Sequence, residues 1–489
     1  MKTIVKIDPD KEYELAKKAI ASIGQGTSST DQINCLDSSV DNLKTVINVL
    51  IERATPKERT KPPKKSNKNI KKENKESSEK LPSQKFPDLE VEENIVRDDS
   101  PPICGCCNSA MQESGLYKTS EKLEVIPKRY YIVRNKRVVY NCPSCYGEMK
   151  NAEAIPSICP SSNYGDSVMI DVSLSKFCDL VPIERYSAMA ARDGVEGLAP
   201  NSLIGLTHNL ANFLYAGYEA LKSEVQSSRL VFIDETPHKM LEGDDRSSWY
   251  LWGFSCTTAC IFEAHPSRSG DVAFKFLSES LAEFILTDGY RGYQKAVRQL
   301  SEQSKTITEA NCNAHAYRYF EEASVTWESE CQDFLRLYGE IYALERQAKL
   351  NPEQKPKIRS QMQPLFEDMA SKAREAKESA MPNSGFMKAL GYFLGHYEKL
   401  TKCTYEPEIE LDNNFSERLL RNPVVGRKTW YGTHSKRGAR TSAIIFSLVE
   451  SCKINRINPR NYFVWLTKQI LAKETVLTPY QYLLSLDSG

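Results

Sequence analysis

Apolar positions along the chain change their period several times, and each change predicts a different element. In VDNLKTVINVLIERA (40–54), Val40, Leu43, Val46, Ile47 and Leu50 recur at helical spacing and predict a short amphipathic helix. From Thr55 to about Asp99 the apolar residues thin out into Lys, Glu, Ser, Asn and Pro, a composition that buries too little surface to offset the entropy of ordering it. Residues 1–100 therefore read as a short helix followed by a basic disordered linker. A helical period returns over 160–225, where Ile183, Tyr186, Met189 and Ala190 fall on one face of one segment. The pattern then shortens to β-branched and aromatic runs: LVFID (230–234), SWYLWGFS (248–255), ACIFEA (259–264) and EFILTD (283–288). Strands in series, then alternating with helix-like stretches, predict an α/β layer. Residues 321–405 revert to charged helix, with Phe334, Tyr338, Ile341 and Leu344 as its buried stripe.

A chain of 489 residues exceeds what one core supports, so several domains are expected. Charge changes the picture only through its distribution, because 65 Lys and Arg stand against 64 Asp and Glu. The stretch KERTKPPKKSNKNIKK in the linker reads equally as an arm touching DNA phosphates and as a solvated tether. The opening MKTIVKIDPDKEYE is charged before any secretory core could form, and no run approaches the ~18 apolar residues that span a bilayer. A soluble, cytoplasmic protein with no membrane partner is the expectation. In that setting 14 Cys stay mostly reduced, and clustered ones are better metal ligands than disulfide partners.

One such cluster lies in 101–150. Cys104-Gly-Cys106-Cys107 and Cys142-Pro-Ser-Cys145 each hold two thiols at the two-residue spacing with which a tight turn supplies half of a tetrahedral zinc site. Between them RYYIVRNKRVVYN (129–141) predicts a β-hairpin turning at Arg134-Asn135-Lys136. The expectation is a structural Zn2+ on Cys104, Cys107, Cys142 and Cys145, against unmetallated core cysteines; four thiolates leave no open position for catalysis.

Three acids carry the candidate chemistry. Asp234 follows LVFI and Asp288 ends FILT, so both read as acids at strand ends, while neighbouring Glu235 should point to the opposite face. An isolated strand-terminal Asp is commonly a cap, so neither is decisive alone. In LDNNFSERLLRNPVVGRKTWYG, Asp412 or Asn413 caps a helix carrying Glu417 in its first turn, with Arg421 four residues on. From Arg418 to Val449 there are seven Lys or Arg and no acid. Arg421, Arg427, Lys428, Lys436, Arg437 and Arg440, set among Gly426, Gly432 and Gly438 with Trp430 between them, predict a channel for DNA backbone and unpaired bases. His315 reads either as a phosphate contact or as a structural histidine. Separated carboxylates suit magnesium, which takes one or two from each element, and two ions roughly 4 Å apart serve polynucleotidyl transfer.

Taken with the cysteine pairs, IDETPHK (233–239), TDGYRGY (287–293), NCNAHAYRYF (311–320), DNNFSERLLRNPVVGRKTWYG (412–432) and GARTSAIIFSLVESCKINRINP (438–459) resemble the transposases of the insertion sequence 66 family. The resemblance implies an α/β, RNase H-like catalytic core interrupted by a helical insertion and preceded by a zinc-ribbon-like module and a helical DNA-binding region. Its boundaries here are 101–150 for the zinc module, 160–225 for the helical region, 226–320 and 406–465 for the core, 321–405 for the insertion and 466–489 for a C-terminal tail. The family's three acids fall on Asp234, Asp288 and Glu417. Implied with them are two Mg2+ or Mn2+ ions per site, the element's inverted-repeat ends and target DNA as partners, accessory proteins of the same element, a homo-oligomer on DNA and a place at the nucleoid. Three departures stand out: the N-terminal helix is shorter than the zipper-like helix that resembles it in the family, Asn108 follows Cys107 where a family Gly is common, and Val424 stands seven residues after Glu417 where many bacterial transposases carry Lys. The competing expectations are a nuclease that cuts without joining, and a zinc-containing DNA-binding protein derived from a transposase but catalytically silent.

Overall fold

The computed structural model describes residues 81–106, 108–113, 119–126, 128–144, 149–241 and 248–487. The helix expected at 40–54, the first part of the linker, and the ligand candidates Cys107 and Cys145 lie outside these residues. The described residues divide into two compact units, one within 81–132 and the other within 133–487.

In the smaller unit Cys104 opens a tight turn. Cys104 donates its N–H to the Ser109 carbonyl at 2.9 Å and accepts the Asn108 N–H at 3.0 Å, and Ile103 bridges Ala110. Asn108 closes this turn with φ +56, a left-handed conformation that Asn and Gly tolerate best, so Asn stands comfortably where Gly is the alternative.

The larger unit begins with a small antiparallel pair, β1 (Val139–Asn141) and β2 (Met149–Asn151). This corrects the expected hairpin: 129–138 carry no strand, and 139–141 pair instead with 149–151. Arg134-Asn135-Lys136 lacks the Gly that tight two-residue hairpin turns favour.

Four helices follow: α1 (Asp166–Phe177), α2 (Ile183–Arg192), α3 (Pro200–Phe213) and α4 (Tyr215–Gln226). Of the expected face on α2, Ile183, Tyr186 and Ala190 are buried and Met189 is exposed. The sheet comprises β3 (Leu230–Lys239), β4 (Ser248–Ser255), β5 (Cys260–His265), β6 (Phe284–Thr287) and β7 (Thr308–Asn311), in the order β5-β4-β3-β6-β7. The first three form an antiparallel meander, and β6 and β7 add in parallel through α5 (Gly270–Ser278) and α6 (Arg291–Glu302). Strand β7 lacks an apolar run, which is why its TEAN sequence gave no strand signal. Strand β3 runs five residues past Asp234, correcting the expectation that this acid ends it: pairing with β4 continues to Lys239 although β6 stops opposite Phe232.

After β7 come α7 (Asn313–Ser324) and the insertion, α8 (Glu328–Leu350), α9 (Lys355–Ser360), α10 (Gln363–Ser379) and α11 (Gly385–Leu400). Phe334, Tyr338 and Ile341 are buried as expected, and Leu344 packs at the edge. They share one core with Leu230, Phe232, Phe284 and Leu286 of the sheet, so the insertion folds onto the sheet face.

The chain then returns through α12 (Asn414–Trp430) and α13 (Lys436–Ile454). Helix α13 covers the outer edge of β5, where Ser447 Oγ and Ser451 Oγ accept the Phe262 and Cys260 N–H groups at 2.8 and 3.0 Å. An edge strand's unpaired amides invite association with another chain, and here two helical hydroxyls satisfy them. At the end α14 (Pro459–Ala472), which runs across the expected boundary between core and tail at 465/466, buries Tyr462 and Leu466, and α15 (Pro479–Asp487) returns Tyr482 to 4.6 Å from the Trp465 ring. No helix among the described residues is long and apolar enough to cross a membrane.

Candidate metal centre

Side-chain alternation along β3 sets the centre's floor. Phe232 and Asp234 share one face and Ile233 and Glu235 the other, and Phe232 lies in the core shared with the insertion. Asp234 therefore faces α7 and α12, the latter resting Phe415 5.7 Å from the Phe232 ring. Glu235 points the other way, as expected, with its side chain 1% exposed and bound by Arg268 Nε at 2.6 Å and by the Tyr293 hydroxyl.

Asp288 stands one residue beyond β6. Its Oδ1 accepts the Tyr290 N–H at 2.8 Å, and its carbonyl accepts the Tyr392 hydroxyl at 2.7 Å, a tether from α11. Gly289 turns the chain at φ +84, and a Cβ there would lie 2.9 Å from the His396 ring.

Glu417 lies in the first turn of α12. Of the two expected caps, Asp412 makes the bond, accepting the Asn414 N–H at 3.1 Å, while Asn413 turns its amide to the Ile233 carbonyl at 3.3 Å. The Asn413 N–H donates to Cys312 Sγ at 3.1 Å, and Asn313 donates its amide to the Leu400 and Leu411 carbonyls at 2.9 and 3.2 Å. These buried bonds lock the start of α12 against β3, α7 and the end of α11, so Glu417 is positioned by elements distant in sequence.

Asp234, Thr236, His315, Glu417, Arg418 and Arg421 line one cleft of about 510 Å³. Burial pushes the Asp234 carboxyl well above the usual carboxylate range, and the charges of Glu235, Asp288 and Glu417 push it the same way. That places the Asp288 carboxylate within electrostatic reach although it is not part of the cleft wall. Burial likewise raises Glu235 despite its bonds to Tyr293 and Arg268. A buried carboxyl repelled by Asp288 and Glu417 fits a divalent cation, whose charge would relieve the repulsion and whose preferred donors are oxygens; the metal-ligating atoms that lie within 4.8 Å of one another among the described residues are those of Cys312, His315 and Glu417.

Glu417 is held by Arg318, whose Nη2 donates to both carboxylate oxygens at 2.6 and 2.7 Å. His315 Nδ1 lies 3.5 Å from Glu417 Oε1, buried and without a hydrogen bond, and burial pushes this imidazole below its ordinary pKa although Glu417 opposes the shift. Arg318 escaped the sequence reading. Its signal was the three-residue step from His315, which puts the two on one face of a helix.

The basic residues expected to form one channel are distributed. Arg421 lines the cleft with the acids. Arg427, Lys428 and Trp430 occupy the last turns of α12, which runs through Gly426 as continuous helix. Trp430 packs edge-on against Phe177 at 6.2 Å, with Lys176 Nζ 3.9 Å over its ring, so the side chain expected to stack on bases here joins α12 to α1. Lys436, Arg437 and Arg440 begin α13. Lys436 and Arg440 line a second cleft of about 330 Å³ with Tyr215, Trp249 and Glu263, and Arg440 stacks on Tyr215 at 4.6 Å.

Comparison with known proteins agrees with this architecture. Residues 161–441, more than half of the chain, match the Transposase IS66 family, and residues 101–146 match the zinc-finger binding domain of transposase IS66. Both matches are to transposases. The chain belongs to the IS66 transposase family. Two similar proteins from Sinorhizobium fredii (strain NBRC 101917 / NGR234) are described as uncharacterized: y4hP, 23% identical over 410 residues (79% of this chain, 72% of the relative), and y4jD, 24% identical over 410 residues (80% and 79%).

Proposed function

We propose that this transposase is a DDE enzyme whose RNase H-like core cuts the ends of its insertion sequence and joins them to target DNA. The observation that carries the reading is the buried Asp234 carboxyl, repelled by Asp288 and Glu417 at the floor of a cleft whose wall presents Arg418 and Arg421. The sheet order, a meander extended by two parallel crossovers, supports the RNase H-like assignment.

Asp234, Asp288 and Glu417 would hold two Mg2+ or Mn2+ ions. Bound there, the metals supply Lewis acidity to the phosphoryl group being transferred. The protein's own part is to orient. The Asp412 and Asn413 bonds fix Glu417 at the helix start, and Tyr392 fixes the backbone of Asp288. Arg421, one turn after Glu417, offers a charged donor to the DNA backbone at the cleft wall. The nucleophiles in this reading are water and then the freed 3′ hydroxyl, with no covalent protein intermediate. Arg427, Lys428, Lys436 and Arg437 would extend the DNA path, and Cys104, Cys107, Cys142 and Cys145 would bind structural Zn2+. Accessory proteins of the element and self-association on DNA complete the proposed assembly.

The test is cleavage and joining of labelled DNA carrying the element's ends, with Mg2+ or Mn2+, by wild type and Glu417→Gln. Joined products from wild type, and DNA binding without products from the variant, support the reading. Folded wild type that only binds DNA, even with accessory proteins supplied, sinks it in favour of a catalytically silent DNA-binding protein; cleavage without joining replaces it with a nuclease.

A further inference from the structure

We propose that Arg318 is an electrostatic clamp on the third acid: it neutralises Glu417 while the centre lacks metal and DNA, and it transfers to a DNA phosphate when substrate enters, so that metal binding is coupled to DNA binding. The inference rests on the metal-centre reading above and adds an order of events to it.

The three acids are held differently. Asp234 and Asp288 accept hydrogen bonds from backbone N–H groups at 2.9 and 2.8 Å, and among the described residues neither pairs with a Lys or Arg. Glu417 instead has both oxygens occupied by Arg318 Nη2. Arg268 is committed to Glu235 on the opposite face of β3, and Arg418 and Arg421, which line the same cleft, make no ion pair with either acid among the described residues. Only the third acid therefore carries a full counter-charge. A cation arriving at Glu417 meets a like charge already in contact with the same oxygens, and metal affinity is lowered while Arg318 stays in place.

Release is built into the geometry. The Arg318 side chain is 40% exposed, and its contacts to Glu417 use one of three guanidinium nitrogens. The planar fork suits a phosphate, which can take two parallel bonds, so a DNA strand passing the exposed side of Arg318, beside the cleft that Glu417 lines, would compete for it. His315, one turn earlier on α7, keeps its Nδ1 3.5 Å from the same Glu417 oxygen and limits how far the carboxylate can turn away when Arg318 leaves.

Mn2+ binding to the full-length protein tests the clamp, measured by electron paramagnetic resonance of the free ion with and without a duplex carrying the element's ends. Binding to the duplex alone is subtracted, and only the part lost in Glu417→Gln is counted. Arg318→Gln is expected to bind Mn2+ on the order of tenfold tighter than wild type without DNA. DNA should tighten binding by a similar factor in wild type and by under about twofold in Arg318→Gln. Cleavage by Arg318→Gln should fall although its metal affinity rises, a split that simple loss of structure does not produce. If Arg318→Gln and wild type bind Mn2+ equally without DNA, the clamp is overturned. Wild type indifferent to DNA overturns it too, and that measurement needs no variant. Should Glu417→Gln bind Mn2+ as wild type does, the metal-centre reading itself has failed.

Discussion

Arg359 offers the sharpest test of how the insertion supports the centre. It is 0% exposed, and its Nε and Nη2 donate to the two oxygens of Glu345 at 2.9 and 2.7 Å. Its Nη1 donates to the Pro407 and Ile409 carbonyls, on the segment that leads into Asp412 and α12. In Arg359→Ala, Glu345 stays buried with only Lys349, 3.6 Å away and 57% exposed, as a nearby cation. Removing one partner of a buried ion pair costs about 3–5 kcal/mol, and the two stranded carbonyls add about 1 kcal/mol each, giving roughly 5–7 kcal/mol. The pair itself is replaceable. Arg359→Met with Glu345→Leu removes both charges of the fully buried pair, while Glu410, 3.4 Å from Arg359, keeps Lys355 at 2.8 Å, so the double variant should recover all but about 2 kcal/mol, the part owed to the carbonyls. Hydrogen exchange of peptides from α8 to α11, followed by mass spectrometry, reads the change in opening free energy of this core. A loss below about 1 kcal/mol in Arg359→Ala, or a double variant as damaged as the single, would refute the reasoning.

Two further predictions concern the joints around α12. Burial holds Lys176 down to about 8 beneath Trp430, whereas an unfolded chain keeps a lysine protonated to about 10.4. Between those values the unfolded state binds more protons, so stability should be flat below pH 8 and rise by up to about 2 kcal/mol toward pH 10.4. Lys176→Met should abolish that rise in urea titrations run at several pH values; an unchanged slope assigns it to another group. Gly432 adopts φ +137, and a Cβ there would stand 2.4 Å from the Lys239 carbonyl oxygen, where Thr433 docks on the end of β3. Gly432→Ala should cost about 1–3 kcal/mol and speed tryptic cutting at Lys436 and Arg437. A melting temperature within about 2 °C of wild type contradicts the close approach.

The sequence carried the elements whose burial is periodic. The four apolar strand runs appear close to their expected positions, the stripe Phe334, Tyr338, Ile341 is buried, and Glu417 lies in the first turn of its helix. Local chemistry is enough for these, because a strand or helix must place its apolar side chains on one face wherever it later packs. It failed where the signal is not apolar. Strand β7 is bracketed by parallel pairing to β6 and reads TEAN, and β3 continues through Glu235 and Pro237 because β4 pairs with it to the end.

Glycine and aromatic content around 426–432 predicted an open channel, yet Trp430 finds a better partner in Phe177, 253 positions earlier in the chain. The likeness to the transposase family and the identity of the three candidate acids were readable from spaced motifs. What surrounds those acids was not. Arg318 on Glu417, Asn413 on the Ile233 carbonyl and Arg359 on the segment before α12 join residues 99, 180 and 48 to 50 positions apart. Period and local propensity report which face of an element is apolar, while the partner of a buried charge or amide is chosen by the folding of the whole chain, since each such group must find whichever complementary group the packed core brings within hydrogen-bond reach.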